Sequence, residues 1–188
     1  MLRLFVGLDL APTARERLAV LASGLQGARW VDPPSYHVTL AFIGEVDAAV
    51  AQNLDRELSL VKAASFDLEI SGVGSFETKG KLRAIWAGVT LSKPLELLQG
   101  RVAAACARAE IKLEARKFKP HVSLARFKEQ PSKERLGDWL MTNGLLLLNK
   151  QTVKDFVLFR SHLGGTGPYY EALVRYPLLS ISTVPLER

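Results

Sequence analysis

The sequence has one cysteine, Cys106, and three histidines in 188 residues. A single thiol makes no internal disulfide, and it leaves too few sulfurs for a cysteine-based zinc site. Cys106 sits in an alanine-rich run that reads as a helix interior, so a buried core thiol is expected. A lone thiol fits a reducing compartment, and a cytoplasmic location is expected. No apolar stretch reaches the roughly 18 residues that a spanning helix needs, so no membrane partner is expected. The N-terminus has no basic segment leading into a long apolar run, and a signal peptide is not expected. There is no low-complexity tract and no interdomain linker, so residues 1–188 are expected to form one domain. Acidic residues are outnumbered, and the net charge of +6 tilts the chain towards anionic partners, nucleic acid foremost.

Two of the three histidines open nearly the same pentad. His37-Val38-Thr39-Leu40-Ala41 returns as His121-Val122-Ser123-Leu124-Ala125, 84 positions later. A hydroxyl two places after a histidine and a leucine three places after it coincide by chance about once per hundred histidines. Both pentads are apolar and β-branched and follow prolines, so both read as strands. In a strand, residues i, i+2 and i+4 share a face. His37, Thr39 and Ala41 then line one face, as do His121, Ser123 and Ala125, with valine and leucine on the reverse. A half-buried strand with an incidental histidine is the ordinary alternative for either pentad taken singly; the matched pair argues against it. Two imidazoles can take and give a proton near neutral pH, and two hydroxyls can donate to phosphate oxygens.

The repeated His-x-Thr/Ser-x pattern resembles the signature of the 2H phosphoesterases. The wider strings HVTLAFIGEV, FKPHVSLARF and RLFVGLDL are similar to one branch, the RNA 2′,3′-cyclic phosphodiesterases, also called RNA 2′-5′ ligases. The resemblance runs from Arg3 to about Tyr176. It implies hydrolysis of RNA 2′,3′-cyclic phosphate ends to 2′-phosphates, with His37 as acid and His121 as base. Thr39 and Ser123 would bind the phosphate. Phe42 and Arg126, each five residues after a motif histidine, would flank the substrate nucleobase. Period-2 counting puts position i+5 on the opposite face, a conflict that disappears only if each strand ends, twists or bulges. No cofactor and no metal are expected, and the protein is expected to be a monomer. The alternatives are joining of a cyclic-phosphate end to a 5′-hydroxyl end, and a phosphodiesterase for small cyclic nucleotides.

Along the chain, the pattern predicts a strand over 2–10 and a helix from Pro12 to about Gly24 or Gly27. It predicts a motif strand closed by Gly44 and a helix from Asp47 to about Leu60. A strand over 66–70 is followed by glycines marking a bend and a turn, then a strand over 83–90. A helix from Ser92 to about Ala109 leads to a basic run (Lys112, Arg116, Lys117, Lys119) and the second motif strand. A short helix over 132–141 precedes three strands near 145–152, 154–161 and 169–176. The expected fold is α+β, a duplicated two-lobed unit with two antiparallel sheets facing across a central groove and helices outside. Gly164-Gly165-Thr166-Gly167 is not followed by the Lys-Ser/Thr of a phosphate loop and reads as a turn. His162 reads as a strand-end histidine with an accessory substrate contact as its alternative. Tyr36, Phe127, Tyr169 and Tyr170 are weaker candidates, more often core or rim.

Overall fold

A computed structural model describes residues 1–163 and 168–180. The chain opens with β1 (Leu2–Asp9), α1 (Pro12–Ala19), β2 (Ala28–Trp30) and a single 3-10 turn at Pro33–Ser35. The first motif lies at the start of β3 (His37–Val46), which is followed by α2 (Ala48–Ser59). Next come β4 (Phe66–Leu68), β5 (Ile70–Thr78), β6 (Lys81–Val89) and α3 (Lys93–Arg108). The second motif opens β7 (His121–Phe127). The chain continues through α4 (Lys133–Asn143), β8 (Gln151–Val153), β9 (Asp155–Leu163) and β10 (Pro168–Pro177).

Seven strands run in the order β10-β9-β1-β3-β7-β6-β5, with β2 added beside β7. All pairings in this sheet are antiparallel. The α+β class, the antiparallel pairing and the helices are as expected. The two half-sheets are not separate: they join where β3 meets β7, through the pair Val38 and Val122. A small second sheet pairs β4 with β8.

Helices α2 and α3 cover one face of the sheet. Leu54 and Leu58 of α2 and Leu95, Leu98, Val102 and Ala105 of α3 are fully buried, in one core with Val38 and Val122. Burying each leucine contributes about 2 kcal/mol. Cys106 is a buried free thiol in that layer, and burial raises its pKa to about 11. Asp47 caps α2 by accepting from the Val50 amide at 2.8 Å, and Ser132 caps α4 through the Arg135 amide at 3.3 Å. Such caps contribute about 1 kcal/mol each.

Several boundaries differ from the sequence pattern. The first helix ends at Ala19, and turns fill the stretch to Gly27. Gly44 does not close the first motif strand. It adopts a left-handed φ of 84° beside a register shift, and β3 runs on to Val46. Gly72 and Gly74 lie inside β5, Gly72 with a left-handed φ of 70° and Gly74 where a neighbour needs the room of a missing side chain. A Cβ on Gly74 would meet the Trp86 ring at 2.4 Å. Of the strand expected over 145–152, only Gln151–Val153 forms a named strand. The Gly164–Gly167 turn lies outside the described residues.

Candidate active site

The sheet face away from α2 and α3 carries both motifs. On β7, Trp86 pairs with Ser123 but Ile85 pairs with Ala125, so Leu124 is an extra residue. On β3, Gly7 pairs with Thr39 but Val6 pairs with Ala41, so Leu40 is the extra residue. Each motif strand thus carries a β-bulge at the leucine three places after its histidine. A bulge shifts the alternation by one. Leu40 and Ala41 are both buried, as are Leu124 and Ala125, and Phe42 and Arg126 swing out to the exposed groove face. This resolves the conflict over the i+5 positions.

Because Val38 pairs with Val122, the antiparallel register sets His37 beside Ser123 and Thr39 beside His121. The two histidines are then diagonal neighbours, a relationship that separates backbones by roughly 7–8 Å. A cavity of about 140 Å³ is lined by His37, Thr39, Phe42, Ser123 and Arg126 together with Arg3 and Tyr170. An adjoining trough of about 600 Å³ shares Thr39 and Phe42 and is lined by His121. All six candidate residues therefore border one continuous depression.

His37 donates from Nδ1 to the Ser35 carbonyl at 2.8 Å, which leaves the Nε2 lone pair of the neutral ring facing Thr39 Oγ1 at 3.1 Å. Its ring sits among Phe5 at 4.6 Å, Tyr170 edge-on at 4.9 Å and Phe159 at 6.0 Å. Burial is the main cause that lowers the His37 pKa to about 4, with the charges of His121 and Arg126 adding to it. The Ser35 hydrogen bond and Asp9 act the other way. Asp9 is itself held by Arg15 and by Arg175 at 2.6 Å.

His121 repeats the arrangement with different walls. Its Nδ1 donates to the Lys119 carbonyl at 2.7 Å. Phe76 meets the ring edge-on at 4.9 Å, and Trp86 lies 6.2 Å away. The Lys119 ammonium lies over both aromatics, 4.5 Å from Trp86 and 5.3 Å from Phe76. Burial lowers the His121 pKa and the Lys119 charge lowers it further, against the Lys119 hydrogen bond. Ser123 makes no side-chain hydrogen bond among the described residues, so its hydroxyl is free to donate. The Arg3 guanidinium lies 5.6 Å from the Phe42 ring and brings a second cation to the mouth.

The remaining candidates separate. Tyr36 and Phe127 are core residues, 1% and 5% exposed. Tyr169 stacks on His162 at 4.5 Å, and His162 bonds Glu171 at 2.7 Å. His162 and Tyr169 do not line either cavity. Tyr170 does, against the His37 ring. Phe5, Phe159, Phe76 and Trp86 are site residues that sequence patterning missed. They read as ordinary strand apolars, and only the sheet register places them beside the histidines. Among the described residues, no group of three or more His, Cys, Asp or Glu could hold a metal. No helix among them is long and apolar enough to cross a membrane.

A family model described as LigT like Phosphoesterase matches residues 8–86 and 89–170. The chain belongs to the LigT-like phosphoesterases. It is 29% identical over 175 residues to a protein of Archaeoglobus fulgidus named RNA 2′,3′-cyclic phosphodiesterase, covering 92% of this chain and 98% of that one. The crystal structure of the Thermus thermophilus protein TT0787 superposes with a TM-score of 0.80 at 25% identity, covering 95% of this chain and 99% of that one. The apo crystal structure of Escherichia coli LigT does so with a TM-score of 0.75 at 25% identity, covering 95% and 98%. The resemblance read from the motifs holds, and this LigT-like chain carries both halves of the pattern in one sheet.

Proposed function

We propose that the protein hydrolyses RNA 2′,3′-cyclic phosphate ends to 2′-phosphate ends, with two histidines and no metal. One observation carries this reading: each imidazole is tied through Nδ1 to a backbone carbonyl, which aims two Nε2 atoms into one depression. Relatives that match nearly the whole chain are named RNA 2′,3′-cyclic phosphodiesterase, which supports the substrate.

In this mechanism His121 Nε2 takes a proton from water as the water oxygen attacks phosphorus. The P–O3′ bond breaks opposite, and His37 Nε2 gives its proton to the leaving 3′-oxygen. Thr39 and Ser123 donate to the nonbridging oxygens as charge builds on them. Phe42 and Arg126 stack on the nucleobase. Both imidazoles are neutral at pH 7 in the free protein. The phosphate anion supplies the countercharge that lets one of them take a proton. The resemblance of the two motifs assigns His37 as the acid and His121 as the base.

Residues 1–188 are read as one unit of two pseudo-symmetric lobes, supported by the two bulges at equivalent leucines and the Val38–Val122 junction. A cytoplasmic monomer belongs to the same proposal, in keeping with a free buried thiol. The test is turnover of a dinucleotide ending in a 2′,3′-cyclic phosphate, in excess EDTA, with the product separated by chromatography. A 2′-phosphate product is expected. No turnover, or turnover that EDTA abolishes, would overturn the reading.

A further inference from the structure

We propose that Gln99 is a positioning residue of this site: its side-chain amide holds the Leu40 carbonyl and so sets the bulge that turns Phe42 towards the substrate base. This rests on the reading above, in which Phe42 stacks on the nucleobase.

The two halves of the sheet hold their bulges by different means. Strand β1 lies beside β3 as β6 lies beside β7, and each motif strand is bulged against that neighbour at its leucine. The extra residue of a bulge is left out of the ladder, so its backbone groups need partners elsewhere. On β7 the other edge supplies one. There β2 pairs Ala28 to Trp30 with Phe127 to Ala125, and the Val31 amide donates to the Leu124 carbonyl at 2.8 Å. The motifs are 84 positions apart, so the counterpart of residues 28–31 is 112–115. That segment forms no named strand. Strand β3 meets β7 only at Val38 and Val122, and beyond Thr39 its edge on that side has no strand beside it among the described residues.

The Leu40 carbonyl is therefore without a strand partner, and Gln99 stands in for one. It lies on α3 among the buried Leu95, Leu98 and Val102, and its Nε2 donates to the Leu40 carbonyl at 3.4 Å. Only the NH2 end of the amide can face a carbonyl, which fixes its orientation. The bond is longer than its counterpart at Leu124, and it hangs on one side chain rather than on a strand. Leu40 is 3% exposed, so water is a poor substitute for the lost donor.

Phe42 depends on that bond. The bulge shifts the alternation by one, and this shift puts Phe42, 54% exposed, on the groove face. A Leu40 peptide free to turn in search of a donor would undo the shift. Arg126 has no such dependence, because β2 backs its bulge. Gln99 also borders the trough with Thr39 and Phe42, so a direct contact with substrate is the alternative role.

The experiment measures kcat, KM and thermal midpoint on a dinucleotide ending in a 2′,3′-cyclic phosphate. The proteins are wild type, Gln99→Met, Gln99→Glu, Phe42→Ala and the double variant of Gln99→Met with Phe42→Ala. Methionine keeps the length and loses the donor, whereas ionised glutamate sets an acceptor against the carbonyl. KM should rise roughly fivefold in Gln99→Met, the effect of one lost hydrogen bond, and further in Gln99→Glu. The kcat should stay within about twofold, as for a base contact made equally in ground and transition states. Thermal midpoints should fall by no more than about 4 °C. With Phe42→Ala already present, Gln99→Met should change KM little, since the residue it acts through is gone. An unmoved KM in both single variants would overturn the proposal. So would a rise that persists in full beside Phe42→Ala, which would make Gln99 a direct substrate contact. A crystal structure of Gln99→Met decides the point without turnover. The Leu40 peptide should turn and the Phe42 ring should leave the cavity; an unchanged bulge would overturn the role of Gln99. Absence of turnover in wild type would instead overturn the phosphodiesterase reading, while that crystal structure still decides what Gln99 does.

Discussion

Lys119 holds His121 from two directions. Its carbonyl accepts the Nδ1 proton at 2.7 Å, and its ammonium sits on the Trp86 and Phe76 rings that wall the imidazole. At the equivalent place before His37 stands Ser35, which supplies the carbonyl and no charge. Replacing Lys119 by Met should remove the charge and keep the carbonyl. The His121 pKa should then rise, and the limb of the kcat/KM profile that reports the base should move to higher pH. Lys119→Arg should leave that limb in place. The measurement is a pH–rate profile of all three proteins; a limb unmoved by Lys119→Met would show that the charge does not reach His121.

The two pKa values set the sign of the pH dependence of catalysis. The profile of kcat/KM reports the free enzyme, where both imidazoles titrate below 6.5. The state with one neutral and one protonated imidazole is most populated midway between them, so kcat/KM should peak below pH 6.5. The kcat profile should peak at higher pH, because the bound phosphate anion favours the protonated ring. His37→Ala and His121→Ala should each lose about 10²–10⁴-fold. Coincident kcat and kcat/KM optima would show that phosphate does not shift the imidazoles.

Stability should carry the mark of His37 as well. Its pKa is about 4 in the folded chain and about 6.5 when unfolded. The unfolded state therefore takes a proton first as pH falls. The stability due to a neutral His37 is complete above pH 6.5 and is lost on the way down through pH 4, on the order of 3 kcal/mol. Stabilities from urea melts should fall by about that much more for wild type than for His37→Gln as pH is lowered across this range. Equal falls would place the ring in contact with water.

Gly74 links packing to the site. A Cβ there would sit 2.4 Å from the Trp86 ring, so the indole must move. Gly74→Ala should cost about 1–3 kcal/mol, as overpacking does. It should also lower turnover, since Trp86 walls His121. A thermal melt and an assay on the same sample test this; a stable, fully active variant would mean that Trp86 has free space on its far side.

Thr39→Ala and Ser123→Ala remove hydroxyls that face the depression. Each should reduce kcat by about 10²–10³-fold if it donates to the developing oxyanion. Thermal midpoints should change little for Ser123→Ala, whose hydroxyl has no protein partner among the described residues. Unchanged kcat in both variants would leave the hydroxyls without a catalytic role.

The motif histidines and their hydroxyls were legible because strand alternation is local. Position i+2 shares a face with i whatever the rest of the chain does. Asp47 and Ser92 were legible for the same reason, as caps that need only their own helix. The outward turn of Phe42 and Arg126 was not, because a bulge is defined against a partner strand. Leu40 and Leu124 give no local sign of being extra residues. The aromatic box around His37 was hidden for a related cause: Phe5, Phe159 and Tyr170 come from three strands, and only the order β10-β9-β1-β3 brings them together. The early end of α1 at Ala19 reflects tertiary context, since the apolar residues beyond it pack from turns.

Cys106 has one further consequence. Its sulfur is sealed between α3 and the sheet, and burial holds the thiol in its unreactive protonated form. A thiol-specific dye in solution can label it only during moments when α3 lifts away. With a single thiol in the chain, each labelled molecule records one such opening. The labelling rate is therefore a built-in clock for the breathing of the layer behind the groove, readable while substrate fills the opposite face.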